Sequence, residues 1–472
     1  MVQDLVATLA GRGPGPAPEL VGDPTVEVRT ATHDSRRAGP ATLFCCVPGD
    51  AHDGHDFAAA AVAAGSPALL VERPLGLGVA ELRVASVRRA MGPVAAALAG
   101  FPSERLRVIG VTGTNGKTTT TQMLAAILDA AGMPCGLIGT LTGARTTPEA
   151  PDLQAALAGF VADGDAAVAM EVSSHALDRH RVDGTRFAVA VFTNLSHDHL
   201  DYHRTMDAYF AAKARLFTPE LADAAVVNLD DPYGRRLAGH PAIPTTGYAL
   251  ADAADLTLGP AGSSWTWRGV RLEVALPGRF NVANALAAAT AAEALGVSPG
   301  AIAEGLARTG TVAGRFERVD EGQPFLAAVD YAHTPDGLRQ LLSAARELGG
   351  GRVILVFGAG GDRDRDKRPE MGEAAAAGAD VVVLTTDNPR SEDPAAIISA
   401  VHDGMNDPRD LRIEPDRAAA IALAVDEAAP GDVVLVAGKG HETTQIIGDD
   451  VRPFDDRAVL RGALRARLER AS

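Results

Sequence analysis

The segment VIGVTGTNGKTTTT, residues 108–121, carries the clearest chemistry in this chain. An apolar strand runs into a glycine turn and then into a helix. Backbone amides of such a turn point inward and cradle phosphates at a helix N-terminus; Lys117 would reach the outer phosphates and the Thr118 hydroxyl suits Mg²⁺. The strict pattern GxxxxGK[ST] is not met, because Val111 holds its first glycine position with Gly110 and Gly113 on either side. The loop is a GxxGKT variant, and a plain glycine turn with an incidental lysine competes with it.

Lysine usage bears on that choice. Of the 44 basic residues only Lys117, Lys213, Lys367 and Lys439 are lysines. Gene composition accounts for the arginine bias, but a lysine that survives it marks a place where arginine cannot serve. Arginine is a wide fork that stays protonated, whereas lysine is a slim point charge that can lose its proton and react. The four sit in GTNGKTT, AAKARLF, GDRDRDKRP and VAGKGHE.

A second constellation is EVSSHALDRHRVDGTRFAVAVFTNLSHDHLDYH, residues 171–203, which holds five of the twelve histidines. Glu171 ends an apolar run, and a carboxylate at a strand end in a phosphate-loop domain can hold Mg²⁺ directly or through water. Neither HExxH nor Cys/His spacing is present, so the carboxylates favour Mg²⁺ over zinc. In GRFNVANALAA, Asn281 and Asn284 lie three residues apart at the start of an Ala-rich helix. Sharing a face, both could meet a base or ribose; alternatively Asn281 alone caps the helix. VILVFGAGGDRD has Arg363 where a dinucleotide fingerprint needs its last glycine, which argues against a nicotinamide enzyme.

The elements that must position these residues alternate. From Leu106 onward, runs such as RVIGVTG, AAVAMEV, FAVAVFTNL and AAVVNLDDP, then FLAAVDYAH, RVILVFGAGG, DVVVLTTDNP and DVVLVAGKG, alternate with helical text. They are too apolar for half-exposed strands and read as parallel strands under covering helices. In each block the suggestive residues directly follow a strand, where open α/β sheets bind ligands. GPAGSS and LPGRF read as loops. At roughly 100 to 200 residues per domain, 472 residues make about three domains: 1–98, 99–314 and 315–472, all α/β, the central one a phosphate-loop domain on a mainly parallel sheet and the last Rossmann-like.

A net charge of −16 disfavours a broad nucleic-acid or anionic-membrane surface, so anionic ligands must meet local basic pockets. Cys45, Cys46 and Cys135 form no disulfide or metal framework, which fits a reducing cytosol. Neither a signal peptide nor a long apolar run is evident, and the expectation is a cytoplasmic protein without membrane insertion.

Taken in order, GTNGKTT, EVSSHALDRHRV, NLSHDHLDYH, AAKARLF, GRFNVANALAA, GRFERV, DYAHTPD, GGDRDRDKRP, DNPR and GKGHE resemble the Mur ligases of peptidoglycan synthesis over nearly the whole chain. DSR and VPG in the first block, TTPEA and DNPR resemble the branch that adds the third peptide residue. The resemblance implies an N-terminal domain for a UDP moiety, a central ATPase domain and a C-terminal domain that brings an amino acid. It implies UDP-N-acetylmuramoyl-L-alanyl-D-glutamate, meso-diaminopimelate and ATP as substrates, Mg²⁺ as cofactor, an acyl-phosphate intermediate and a monomer.

Residue by residue, Gly113, Thr114, Asn115, Gly116, Lys117, Thr118 and Thr119 match positions that bind ATP phosphates, and Asn281, Asn284, Arg315, Asp330 and His333 match other nucleotide contacts. Thr118 and Glu171 would hold magnesium and His199 a second ion, with Lys213 carbamylated and metal-facing; Lys117, Glu171, His199 and Lys213 are thereby the catalytic candidates. Ser35, Asp50, Ala51 and His52 match uridine contacts, and Thr146, Thr147, Ser173, Arg179 and Arg181 the muramoyl dipeptide, although Arg179 stands where glutamine is usual. Arg368, Asp387, Asn388, Pro389, Arg390, Gly438 and Glu442 match the amino-acid site. Competing readings are the same ligase using L-lysine or another amino acid, a folylpolyglutamate-synthetase-like ligase, and a phosphate-loop switch that forms no bond.

Overall fold

A computed structural model describes residues 1–12, 17–49, 51–406 and 408–471. Asp50, expected at the uridine site, lies outside the described residues. Three sheets follow one another along the chain. The first has the order Glu19–Val21, Ala80–Arg83, Ala68–Val71, Thr42–Cys45, Thr30–Thr32, parallel except for its first strand.

The central sheet is parallel throughout, in the order Thr245–Tyr248, Ala225–Asn228, Val189–Phe192, Arg107–Thr112, Ala167–Glu171, Cys135–Ile138. Both faces are covered, which is why its strands read as continuous apolar runs. The pleat sends Ile109 and Val111 toward the helices Lys117–Ala130 and Arg279–Ala294, and Val108 toward Leu153, Leu157 and Phe187 on the other side. Gly110 is required here, because a Cβ would lie 2.7 Å from the Phe187 ring. After Arg107–Thr112 the chain builds the sheet first on one side and then on the other, so a crevice opens at the carboxyl end of that strand.

The third sheet has the order Glu317–Arg318, Leu326–Asp330, Val433–Ala437, Val353–Phe357, Val381–Leu384, Leu411–Ile413, with only its first pair antiparallel. The expected α/β architecture, with a phosphate-loop domain on a parallel sheet and a Rossmann-like domain after it, is therefore present.

The loop expected at GPAGSS needs correction. Ala254–Gly259, Gly262–Trp267 and Val270–Val274 form an antiparallel sheet, and Gly259 pairs with Gly262 across a two-residue turn at Pro260 and Ala261. Trp265, Trp267, Leu272 and Val274 alternate inward and extend the central core. The period-2 signal of two tryptophans and two aliphatics was masked by glycine, proline and serine. Among the described residues no helix is long and apolar enough to cross a membrane.

Candidate active site

The carboxyl ends of the central and C-terminal sheets face each other across a cavity of about 1100 Å³. Its floor is the glycine turn between the strand Arg107–Thr112 and the helix Lys117–Ala130. Gly116 caps that helix at φ 86°, and a Cβ there would sit 2.3 Å from Asn284 Oδ1, so backbone freedom and close approach both demand glycine. The turn is braced from the neighbouring strand end: Thr114 N donates to the Asn194 carbonyl and Asn115 N to Asn194 Oδ1, both at 2.9 Å. Lys117 folds over it and donates to the carbonyls of Gly113 and Thr114 at 2.9 and 2.8 Å, while burial pushes its pKa down.

Glu171 is buried at the end of Ala167–Glu171. Its Oε1 accepts from the Thr118 hydroxyl at 3.0 Å and from Thr140 N at 2.8 Å. Arg315, from the start of the C-terminal domain, donates to the Thr118 hydroxyl at 3.1 Å, and its guanidinium lies over the Tyr331 ring at 4.4 Å. His199 faces the same cavity with its backbone at φ 58°, and burial lowers its pKa to about 3, which leaves a neutral imidazole with a lone pair. A carboxylate and an adjacent hydroxyl are oxygen donors that fit magnesium, with the His199 imidazole on the same cavity. Among the described residues no cluster of three or more His, Cys, Asp or Glu is arranged to hold a metal. An ion here would complete its shell with phosphate oxygens and water, as Mg²⁺ commonly does.

Lys213, on the helix Met206–Ala214, is 1% exposed; its Nζ donates to the Gly113 carbonyl at 2.9 Å and lies 4.7 Å from the Tyr209 ring centre. Burial, reinforced by the charge of Lys117, pushes its pKa well below the usual lysine range. Arginine could not answer that environment by losing its proton.

Across the cavity, Asp330 ends the strand Leu326–Asp330 and accepts from Phe316 N and Ala332 N, both at 2.7 Å; burial raises its pKa. His333 lies three residues beyond, with Nδ1 at 2.9 Å from the Tyr331 carbonyl, and burial lowers its pKa to about 4. Asp387, Asn388, Arg390, Gly438 and Glu442 line the far wall, from the turns after Val381–Leu384 and Val433–Ala437. Arg390 is held at φ 52° by the hairpin of Thr444–Ile447 and Asp450–Pro453, which comes after Val433–Ala437: its N donates to the Ile446 carbonyl and its carbonyl accepts from Gly448 N. Its guanidinium is pinned by a backbone carbonyl, that of Gly361 at 2.6 Å, rather than by a carboxylate.

The remaining expected residues divide. Thr146, Thr147, Ser173 and Arg181 line the cavity beside the phosphate loop, as do Thr119 and Asn284. Asn281 is fully buried behind Asn284: it reaches back to the Pro277 carbonyl and accepts from Asn284, so the shared face expected for the pair does not bring both to the cavity. Arg368 stands behind the far wall, where Glu392 takes it at 3.1 and 2.8 Å. Pro389 shapes the turn without lining it, and Arg179 donates to the Tyr202 hydroxyl outside the wall. Ser35, Ala51 and His52 belong to the N-terminal domain and are not brought to this cavity; Ser35 begins a short helix capped by Asp34, and His52 sets its ring against Phe57.

Residue-by-residue reading missed how the two domains are joined. Asp198, from the middle of HDH, accepts from Lys367 at 3.0 Å, Asn115 donates to Asp336 at 3.1 Å, and His197 bonds Glu370 at 2.9 Å. Lysine scarcity pointed to Lys367 but not to its partner, 169 residues away.

A phosphate loop with oxygen donors thus faces a second domain's turn of mixed charge across a shared cavity, the layout of an enzyme that works on a nucleotide and a charged second substrate. Three domain families match in succession: the Mur ligase family catalytic domain over residues 27–108, the Mur ligase middle domain over 111–292, and the Mur ligase glutamate ligase domain over 314–440. A Streptomyces coelicolor protein named UDP-N-acetylmuramoyl-L-alanyl-D-glutamate--2,6-diaminopimelate ligase is 46% identical over 474 residues, 94% of each chain. One of the same name from Geobacillus thermodenitrificans is 46% identical over 487 residues, covering 98% of this chain and 99% of its own. A solved structure of that name superposes with a TM-score of 0.66 at 34% identity, over 93% of this chain and 95% of its own. The chain belongs to the Mur ligase family.

Proposed function

We propose that this enzyme joins meso-diaminopimelate to the γ-carboxylate of D-glutamate in UDP-N-acetylmuramoyl-L-alanyl-D-glutamate, converting ATP to ADP and phosphate, in cytoplasmic peptidoglycan precursor synthesis and as a monomer. The observation that carries this reading is the single cavity shared by the phosphate loop and the Asp387–Arg390 turn. A carboxylate is a poor acyl donor until its oxygen becomes a good leaving group, and transfer of the ATP γ-phosphoryl to it makes an acyl phosphate. Two anions must approach for that step. Lys117 and the loop amides would hold the phosphates, and Arg181, Thr147 and Ser173 the acceptor dipeptide. Thr118 and Glu171 would hold magnesium and His199 a second ion, screening the developing charge. The far wall would hold the amino acid's distal head group, and the amine at its other end, once it has lost its proton, attacks the acyl carbon, forming the amide and expelling phosphate.

The test is phosphate release measured with each substrate omitted in turn. The ligase releases phosphate only when the UDP-muramoyl acceptor and the amino acid are both present; a nucleotide switch would release it without them.

We further propose that Lys213 works as a carbamate. Its amine, which burial helps to lose its proton, would take up CO₂ when neutral and become a carboxylate directed at the metal, an anion that no arginine supplies. Lys213→Ala should abolish most activity, and added short carboxylic acids should restore part of it by presenting oxygen to Mg²⁺. Full activity with lysine shown unmodified under bicarbonate, by intact mass, would remove the carbamate from the mechanism.

A further inference from the structure

Lys439 is the most enclosed of the four lysines, with none of its surface exposed. It follows Gly438 at the end of the strand Val433–Ala437, directly behind the far wall. Each donor of its amine has an acceptor: the Thr444 carbonyl at 2.6 Å, Asn388 Oδ1 at 3.2 Å and Glu442 Oε2 at 3.3 Å, while Asp387 Oδ1 stands at 3.9 Å. Three of those four neighbours line the cavity; Lys439 does not.

The bonds decide which way the neighbours point. Asn388 Oδ1 accepts from Lys439 and also from Ile446 N at 3.0 Å, so the amide can turn only its NH₂ toward Glu442, whose Oε2 it meets at 2.7 Å. Glu442 Oε2 thereby has two donors, and no hydrogen bond from a described residue takes up its other oxygen, which can meet a ligand. The ammonium also separates two carboxylates, Asp387 and Glu442, that would otherwise face each other. Arginine's planar fork is too wide for this closed space, where even a Cβ on Gly438 would lie 2.5 Å from Asp387 Oδ2.

We infer that Lys439 is the positioning residue of the amino-acid subsite: without touching the amino acid, it fixes Asn388 and Glu442 so that a carboxylate oxygen meets the incoming substrate's ammonium group. This inference rests on the ligase reading above.

The experiment measures steady-state kinetics on full-length Lys439→Met, with Glu442→Gln and the double variant beside it. The KM for meso-diaminopimelate should rise about tenfold or more in Lys439→Met, as expected for a lost charge-assisted hydrogen bond, while kcat and the KM for ATP move far less. The effects of the two substitutions should combine to less than their product, because both act through one carboxylate. Should Lys439→Met fail to fold, Asn388→Asp decides the matter: it keeps the acceptor for Lys439 and loses the donor to Glu442, and the same selective rise in KM is expected. An unchanged diaminopimelate KM, a kcat loss with all three KM values moving together, or fully multiplicative effects would overturn the inference. Wild-type enzyme that forms no amide at all would instead overturn the ligase reading beneath it.

Discussion

Lys117→Ala will lower turnover by about 10²- to 10³-fold, the usual cost of losing a charged donor that acts on a transition state in a closed site. The amine is held over the glycine turn by the Gly113 and Thr114 carbonyls, so it is already placed where outer phosphates would arrive. Its loss leaves negative charge on ATP uncompensated as the γ-phosphoryl leaves. Lys117→Arg should not restore activity: a planar fork of five donors cannot occupy a position built around a single nitrogen between two carbonyls. Single-turnover rates at saturating ATP separate this effect from weak nucleotide binding. Near-normal turnover of Lys117→Arg would contradict both the phosphate-loop assignment and the meaning given to the scarcity of lysine.

Arg390→Ala will lower the use of meso-diaminopimelate by at least about 30-fold, corresponding to roughly 2 to 5 kcal/mol for a lost charge-assisted pair. Diaminopimelate differs from lysine by one carboxylate on the far carbon, and holding that anion needs a fixed cation with paired donors. Arg390 has this character. The hairpin of Thr444–Ile447 and Asp450–Pro453 fixes its backbone at φ 52°, a conformation that non-glycine residues adopt only under constraint, and its guanidinium is anchored at one end by the Gly361 carbonyl. Asp387 and Glu442 on the same wall supply the negative side needed by an amino-acid head group. Lysine, which has only a hydrogen where that carboxylate stands, should lose much less. Comparing kcat/KM for the two amino acids in the variant and the wild type is the check; equal losses for both would mean that Arg390 supports the wall instead of reading the substrate.

The readable parts of the fold and site were those where neighbours in sequence are neighbours in space. The glycine turn, Glu171 at its strand end and the turn after Val381–Leu384 all depend on consecutive residues following a buried parallel strand, and all of them reach the cavity. Interactions that cross the chain left no local trace. Arg368 is matched to the amino-acid site by its motif, and its partner Glu392, 24 residues on, leaves no mark in that motif. Asn281 and Asn284 share a helix face as their spacing implies, yet Asn281 bonds back to the Pro277 carbonyl, away from the cavity. Lys439 and Lys367 stood out only by composition; what each one holds, Glu442 and Asn388 in one case and Asp198 in the other, depended on how two loops and two domains meet.

Wild-type protein supplied with ATP, Mg²⁺, UDP-N-acetylmuramoyl-L-alanyl-D-glutamate and a panel of amino acids, with products read by mass, brings the acceptor, the nucleotide and the far wall to trial together. The expected result is the addition of meso-diaminopimelate in step with release of ADP and phosphate, with L-lysine far behind. Joining of L-lysine as efficiently as meso-diaminopimelate would contradict the specificity assigned to Arg390, and ATP hydrolysis without any new amide would contradict the ligase itself.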